Sequence, residues 1–351
     1  MKWISIVVAC FLFSAKTSAS TGFYFLSDNF VRSDSFSLPV MLNDFEGAYT
    51  TGERLYASSW NELGYRYNAF KLGFIARSEY GGSFSNDTSE FAGKLINKED
   101  LDIGRKYQLD FEAYGFIATG LRASYLLTRE DFSLEVGGSL LKASHLMDAN
   151  ISGSATAVGE KDYDFQAHFD YYAYTDPIFE WDVEAPEAKG WSIDIALEYT
   201  FSDALLLKLW VRDLFGHLYW EKAPYTNANG QSGNKTYDEN GYVEWNPAFS
   251  GKQIYTSYDQ KLKPSGFLKM SYQLNSSFSV LAGSRYHFDE VLPFIGAGYR
   301  MQATGFEATV YPTTQALGIQ YFYQAFIIGV QADDIALDKM THIAFSLAYN
   351  Y

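Results

Sequence analysis

The stretch GWSIDIALEYTFSDALLLKLWVRD, residues 190–213, constrains the fold more than any other part of the chain. Trp191, Ile193, Ile195, Leu197, Tyr199 and Phe201 fall on one parity, and Ser192, Asp194, Ala196, Glu198 and Thr200 on the other. That is the period of a β-strand, whose successive side chains point to opposite faces. A turn at Ser202-Asp203-Ala204 then leads into Leu205, Leu207, Leu209 and Val211, which alternate with Leu206, Lys208, Trp210 and Arg212. Pairing Phe201 with Leu205 sets Glu198 opposite Lys208 and Asp194 opposite Arg212, with the row of large apolar residues on the other face. A slip of one residue destroys both features. The expectation is a hairpin with one greasy face and one charged face.

Other segments repeat the partition. In YQLDFEAYGFI, Tyr107, Leu109, Phe111 and Ala113 oppose Gln108, Asp110, Glu112 and Tyr114. In AFKLGFIARSEY, Phe70, Leu72, Phe74 and Ala76 oppose Lys71, Gly73, Arg77 and Glu79, with Ile75 as an apolar intruder. In DYDFQAHFDYYAY, Tyr163, Phe165, Ala167, Phe169 and Tyr171 oppose Asp162, Asp164, Gln166, His168 and Asp170. In FSVLAGSRYHF, Phe278, Val280, Ala282, Tyr286 and Phe288 oppose Ser279, Gly283, Arg285 and His287. Charges are largely confined to one parity, as expected if the other faces hydrocarbon, where a basic side chain at the midplane costs ~2–4 kcal/mol.

Composition agrees. Aromatic residues make up 18% of the chain, with 28 Tyr, 28 Phe and 7 Trp, beside 28 Gly, yet mean hydropathy is slightly negative at −0.17. After the N-terminal segment no apolar run approaches the ~20 residues of a spanning helix. Many aromatics at moderate hydropathy suit an all-β, antiparallel transmembrane β-barrel, in which lipid-facing and wet residues alternate and aromatic belts mark both interfaces. The formal charge of −15 provides no basic footprint for nucleic acid. A 47% hydrophobic content excludes general disorder.

The N-terminus, MKWISIVVACFLFSAKTSAS, has Lys2, an apolar run from Trp3 to Phe13, then small and polar residues. This is the layout of a secretory signal peptide over residues 1–19, with cleavage after Ala19 and Thr17 and Ala19 flanking the cut. Val7-Val8-Ala9-Cys10 has the outline of a lipoprotein box, but the run before it is short and the apolar stretch continues past it. Cys10 is the one cysteine, so the exported chain has no disulfide framework.

The connections sort into two kinds. Thr128-Arg129-Glu130-Asp131, Ser202-Asp203-Ala204 and Asn275-Ser276-Ser277 read as short periplasmic turns, and 81–105, 144–160, 175–189 and 213–252 as long extracellular loops. Asn240-Gly241 reads as the tip of a small hairpin inside the last of these. Residues 20–53 read as a first strand, an N-terminal arm or a small plug, and 54–351 as the barrel. The spacing gives about 12 strands, with 10 and 14 also compatible.

The C-terminal decapeptide HIAFSLAYNY places Ile343, Phe345, Leu347, Tyr349 and Tyr351 on one face. It resembles the terminal strand of Gram-negative outer-membrane proteins, with Tyr351 where a final Phe is commoner. The resemblance implies residence in the outer membrane, contact with its lipid and lipopolysaccharide, and recognition of those five residues by the barrel-assembly machinery.

Catalytic signatures are missing. Barrel hydrolases of the phospholipase and deacylase kinds carry His-x-Ser, in which the imidazole activates the hydroxyl, and omptin-like proteases carry Asp-x-His. None of His145, His168, His217, His287 and His342 has either neighbour. His168 between Asp164 and Asp170 reads as polar lining rather than a metal site, since same-face strand neighbours stand ~6–7 Å apart. Neither cofactor nor metal is expected. Lys71, Arg77, Glu79, Asp110, Glu112, Asp194, Glu198, Lys208 and Arg212 are expected to line the lumen, as cross-strand salt bridges or as pore charges that tune ion preference. The leading functional expectation is a passive channel or uptake barrel for small solutes. A non-transporting surface barrel working through 81–105 and 213–252 comes second, and a hydrolase with a novel site third.

Overall fold

A computed structural model describes residues 21–351 except 177, 233–234, 238–242, 246–247 and 351. The expected signal peptide, Cys10, the Asn240-Gly241 tip and Tyr351 lie outside the described residues. In chain order the elements are β1 (Gly22–Ser33), α1 (Leu38–Leu42), β2 (Arg54–Tyr67), β3 (Phe70–Phe84), α2 (Asn86–Ile96), β4 (Lys106–Thr128) and β5 (Phe132–Gly159). Then come β6 (Asp162–Ala173), β7 (Glu187–Ser202), β8 (Leu205–Gln231), β9 (Lys235–Tyr237), β10 (Val243–Trp245), β11 (Phe249–Lys261) and β12 (Ser265–Gln273). Last are β13 (Phe278–His287), β14 (Glu290–Met301), β15 (Thr304–Tyr311), β16 (Ala316–Tyr323), β17 (Phe326–Ala332) and β18 (His342–Asn350).

Antiparallel pairing carries every strand except β9 and β10 into one sheet, and β18 closes it against β1. Two wall positions are composite. β6 and β7 both lie between β5 and β8, one above the other. β11 and β12 share the other flank of β8, with Leu262-Lys263-Pro264 between them. Proline has no N–H for a ladder and marks such breaks. The wall therefore has 14 strands, the upper of the counts the spacing allowed. Gly22–Ser33 is the first of them, and the segment after it carries α1 rather than a plug.

At one end the strands are joined by tight turns, at 68–69, 129–131, 203–204, 274–277, 302–303 and 324–325, and β1 begins and β18 ends there. Outer-membrane barrels keep such turns on the periplasmic side. The outward parity is greasy all round, with Leu72, Phe74, Leu121, Leu140, Ile295 and Ile319 all more than half exposed. Close to the tight turns the outward residues become aromatic and pair across strands, as in Phe70–Tyr125, Phe278–Tyr299 and Phe326–Tyr349, at 4.7–5.0 Å between rings. Tyr and Phe belong at this depth because their rings suit the headgroup boundary. A closed, even-stranded barrel with this band and girdle is an outer-membrane protein.

The opposite end is lopsided. β4, β5 and β8 run for 23, 28 and 27 residues, whereas β15, β16, β17 and β18 have 8, 8, 7 and 9. Roughly ten residues cross the hydrocarbon, so the long strands rise well above the membrane. Much of 144–160 and 213–252, expected as loop, is strand in this extension. Lipid no longer dictates alternation there, and the sequence signal fades with it. Within 81–105, Ser85 caps α2, accepting a hydrogen bond from the Thr88 amide at 3.1 Å. Phe91 of α2 packs on Tyr107 and Tyr163 of the extension.

Candidate functional site

The inward parity meets in the lumen and nearly fills it. The expected hairpin is present, with Glu198 opposite Lys208 and a 2.9 Å ion pair between them. The turn is one residue tighter than expected, with Ser202 rather than Phe201 facing Leu205, and irregularities follow at Thr200/Ser202 and Ile193/Ile195. The second of these separates Asp194 from Arg212, correcting that part of the expected register. Asp194 instead accepts from Arg122 Nε at 2.7 Å.

Around Arg122 a network ties β2, β3, β4, β5 and β7 together. Its guanidinium also reaches Glu62 and Glu135 at 3.3 Å, and Glu135 takes a 2.6 Å bond from Lys71. Deeper in the lumen Arg77 of β3 forms a bidentate pair with Asp213 of β8, at 2.8 and 2.5 Å, and the nitrogen of the shorter bond, Nη2, also meets Glu79 at 3.3 Å. Asp213 is a residue sequence reading missed. It follows Arg212 on the same strand, so alternation sends it outward. A positive φ of 50° turns it inward instead. Arg212 and Arg285 share Asp28 of β1, at 3.3 and 2.7 Å. The cations also lie over rings: Arg212 sits 4.3 Å from the Trp60 centroid and Arg285 4.4 Å from that of Phe30. Buried charges of both signs thus compensate one another, the condition under which a low-dielectric interior tolerates them.

Of the nine expected lumen residues, Lys71, Arg77, Glu79, Asp194, Glu198, Lys208 and Arg212 lie in this interior. Asp110 and Glu112 do not. They share the inward parity of Arg122 but occupy the exposed upper part of β4, opposite Ser152 and Asn150 of the extension. Parity fixes the face of a residue and not its height, which is why they were misplaced.

The interior is also less uniformly polar than the pattern implied. Ile75, the intruder, is fully buried with Trp60, Phe116, Leu141 and Leu218. Phe30, Tyr56, Leu292, Phe294 and Tyr311 form a second buried cluster. Phe288, expected on the lipid face, is a turn residue whose ring packs inside against Tyr56 and Tyr114 at 5.2 and 6.0 Å. An aromatic residue at a two-residue turn was the signal that could have revealed it.

Beside this packing, under the short wall, lies a cavity of about 120 Å³. Trp210, Phe267, Phe294 and Tyr311 form one side, with near-parallel neighbours Trp210–Phe267 and Phe267–Phe294 at 6.2 and 5.4 Å. A Cβ at Gly283 would collide with the Phe294 ring, so that glycine makes room for the ladder. Thr309, Gly318, Gln320, Gly329, Gln331 and Ser346 form the other side. Charge enters at the margins as Lys269–Glu307 at 2.6 Å, Arg285–Asp28, and Lys208, which is paired with Glu198 outside the lining. Among the described residues no group of three or more His, Cys, Asp and Glu is placed to hold a metal.

The site and fold define a closed β-barrel with a side-chain-filled lumen and an amphipathic chamber. No protein-family model matches the chain, and no curated protein matches it. Among solved structures it is similar to the P. putida toluene transporter TodX, with a TM-score of 0.45 and 13% identity over 94% of this chain and 90% of that one. The Ralstonia pickettii toluene transporter TbuX gives 0.35 and 10%, over 94% and 89%. A Pseudomonas aeruginosa FadL homologue gives 0.33 and 9%, over 94% and 86%.

Proposed function

We propose that the chain is an uptake barrel for small solutes that is closed at rest. The observation that carries this reading is the chamber: a space lined by rings on one side and by amides and hydroxyls on the other, inside an otherwise packed lumen. A barrel needed only as a scaffold gains nothing from leaving such a space, because a void forfeits packing energy. The ionic groups at its margin are paired, so the chamber favours neither sign, and solutes of low net charge with both an apolar and a hydrogen-bonding face suit it. A solute would enter from the lopsided outer end and leave between the periplasmic turns. Ile343, Phe345, Leu347 and Tyr349 point away from the lumen on the closing strand, which supports their role as the signal read during barrel assembly.

Swelling of liposomes that hold the purified barrel tests the reading. Uptake of small uncharged solutes is expected, with little steady ion conductance in a planar bilayer. Total absence of flux would favour the second reading, a surface barrel working through its extension, for which the height of β4, β5 and β8 is the supporting observation.

A further inference from the structure

The β13–β14 hairpin does not stand in line with the wall. Around the barrel β13 and β14 are almost opposite β2 and β3, yet the hairpin tip touches both. Glu290 accepts two hydrogen bonds from Arg32 of β1, both at 2.8 Å, and one from the Tyr56 hydroxyl of β2 at 2.8 Å. His287 meets Glu79 of β3 at 3.2 Å. Phe288 lies between Tyr56 and Tyr114, over Gly81, where any Cβ would overlap its ring. The tip therefore crosses the lumen near its outer mouth, above the chamber.

We propose that this hairpin tip is a gate, latched to the β1–β4 wall by Glu290, His287 and Phe288, and that its release admits solute to the chamber. Three features make it separable from the wall. β14 pairs with β15 only from Ile295 to Met301, so Glu290–Phe294 has no strand on that flank. Pro293 sits in that unpaired stretch, where the N–H it lacks is not missed. On the other side the β12–β13 ladder stops at Gly266↔Tyr286, so His287 and the turn reach past the last paired residue on that flank too. The turn itself holds Phe288 and Asp289 at φ of 46° and 60°, a left-handed conformation that L-residues other than Asn and Asp avoid. For Phe288 that cost is offset by burying its ring against the far wall, so the closed state depends on side-chain contacts rather than on the sheet. Unlatching breaks those contacts and leaves the β-ladder intact.

The inference rests on the uptake reading, and one experiment separates the two. Liposome swelling with glycerol and with a monosaccharide is measured for the wild type, Glu290→Gln, Phe288→Ala and Asp289→Asn. The Asp289 carboxylate accepts from Tyr286 at 2.8 Å and takes no part in the latch. Glu290→Gln and Phe288→Ala are each expected to raise the initial rate about tenfold, the scale of one lost charge-assisted hydrogen bond or buried ring contact, and Asp289→Asn to leave it unchanged. Boiled and unboiled gel mobility checks that each barrel is folded. A Gly81→Cys, Phe288→Cys double variant is the second arm: oxidised it should fall below wild type, and reduced it should exceed it. Equal rates in wild type, Glu290→Gln and Phe288→Ala, or free flux through the oxidised pair, would overturn the gate while leaving uptake in place. Flux in none of the proteins, the reduced pair included, would overturn both.

Discussion

Arg77 shows at the scale of one residue how a membrane barrel can be closed from within. Its guanidinium is sealed between Trp60 and Phe116, at 4.9 and 5.1 Å, and bonded to a carboxylate that is itself buried. Removing one partner of such a pair costs more than the pair contributes, because the other charge stays buried without compensation. Arg77→Ala is therefore expected to destabilise the barrel by about 3–5 kcal/mol in urea titrations, and Arg77→Met with Asp213→Leu to recover most of the loss. A single variant as stable as wild type would show that water reaches the site. Above the membrane, Asp148 carries a different prediction. Its carboxylate accepts a 2.6 Å bond from Tyr258, whose ring stacks on Tyr172 at 3.9 Å. Burial raises its pKa above the ordinary 3.8, with the Tyr258 bond opposing. An acid with a raised native pKa holds more protons folded than unfolded, so stability falls as pH rises from 3.8 through the native value. Asp148→Asn should remove that slope, as read by hydrogen exchange of the extension at acidic and neutral pH.

At the scale of the element, β18 tests which face meets lipid. Phe345 points outward and is paired with Asn29 of β1 and Val330 of β17. Phe345→Lys is expected to cost ~2–4 kcal/mol if it lies near the midplane, lowering folding yield in detergent-to-lipid refolding, whereas Gln320→Lys at the chamber should leave the yield near wild type. Equal losses would mean that the register is wrong. Alternation made most of this legible: Glu198 faces Lys208 as the hairpin required, and Lys71 and Arg77 share the interior. What alternation could not carry is height, local irregularity and reach. Asp110 and Glu112 have the right face at the wrong level. Arg212 lost its expected partner to a break in the ladder, and Asp213 turned inward through one backbone dihedral. The latch pairs residues more than two hundred positions apart, such as Tyr56 with Glu290, for which a strand period has no information.

For the whole molecule, orientation follows from where the tight turns and the extension lie. Cys10 is the one cysteine of the chain, so in a Cys10→Ser background single cysteines can be placed freely. Cysteines at Asn150 and Gln231 should react with an impermeant maleimide on intact cells, and cysteines at Asp203 and Gln324 only after the outer membrane is opened; the reverse pattern would invert the barrel. The unequal strands also affect the lipid around the protein. Eight tilted residues reach about 19 Å along the membrane normal, against the ~25 Å apolar band of a typical barrel. Beside β15–β18 the bilayer must thin to meet the wall, at a fraction of a kcal/mol for each ångström, while beside β4, β5 and β8 it need not. The barrel is therefore a one-sided elastic defect: acyl chains are compressed along one arc of its circumference, and two copies that turn those arcs toward each other share a single dimple instead of making two.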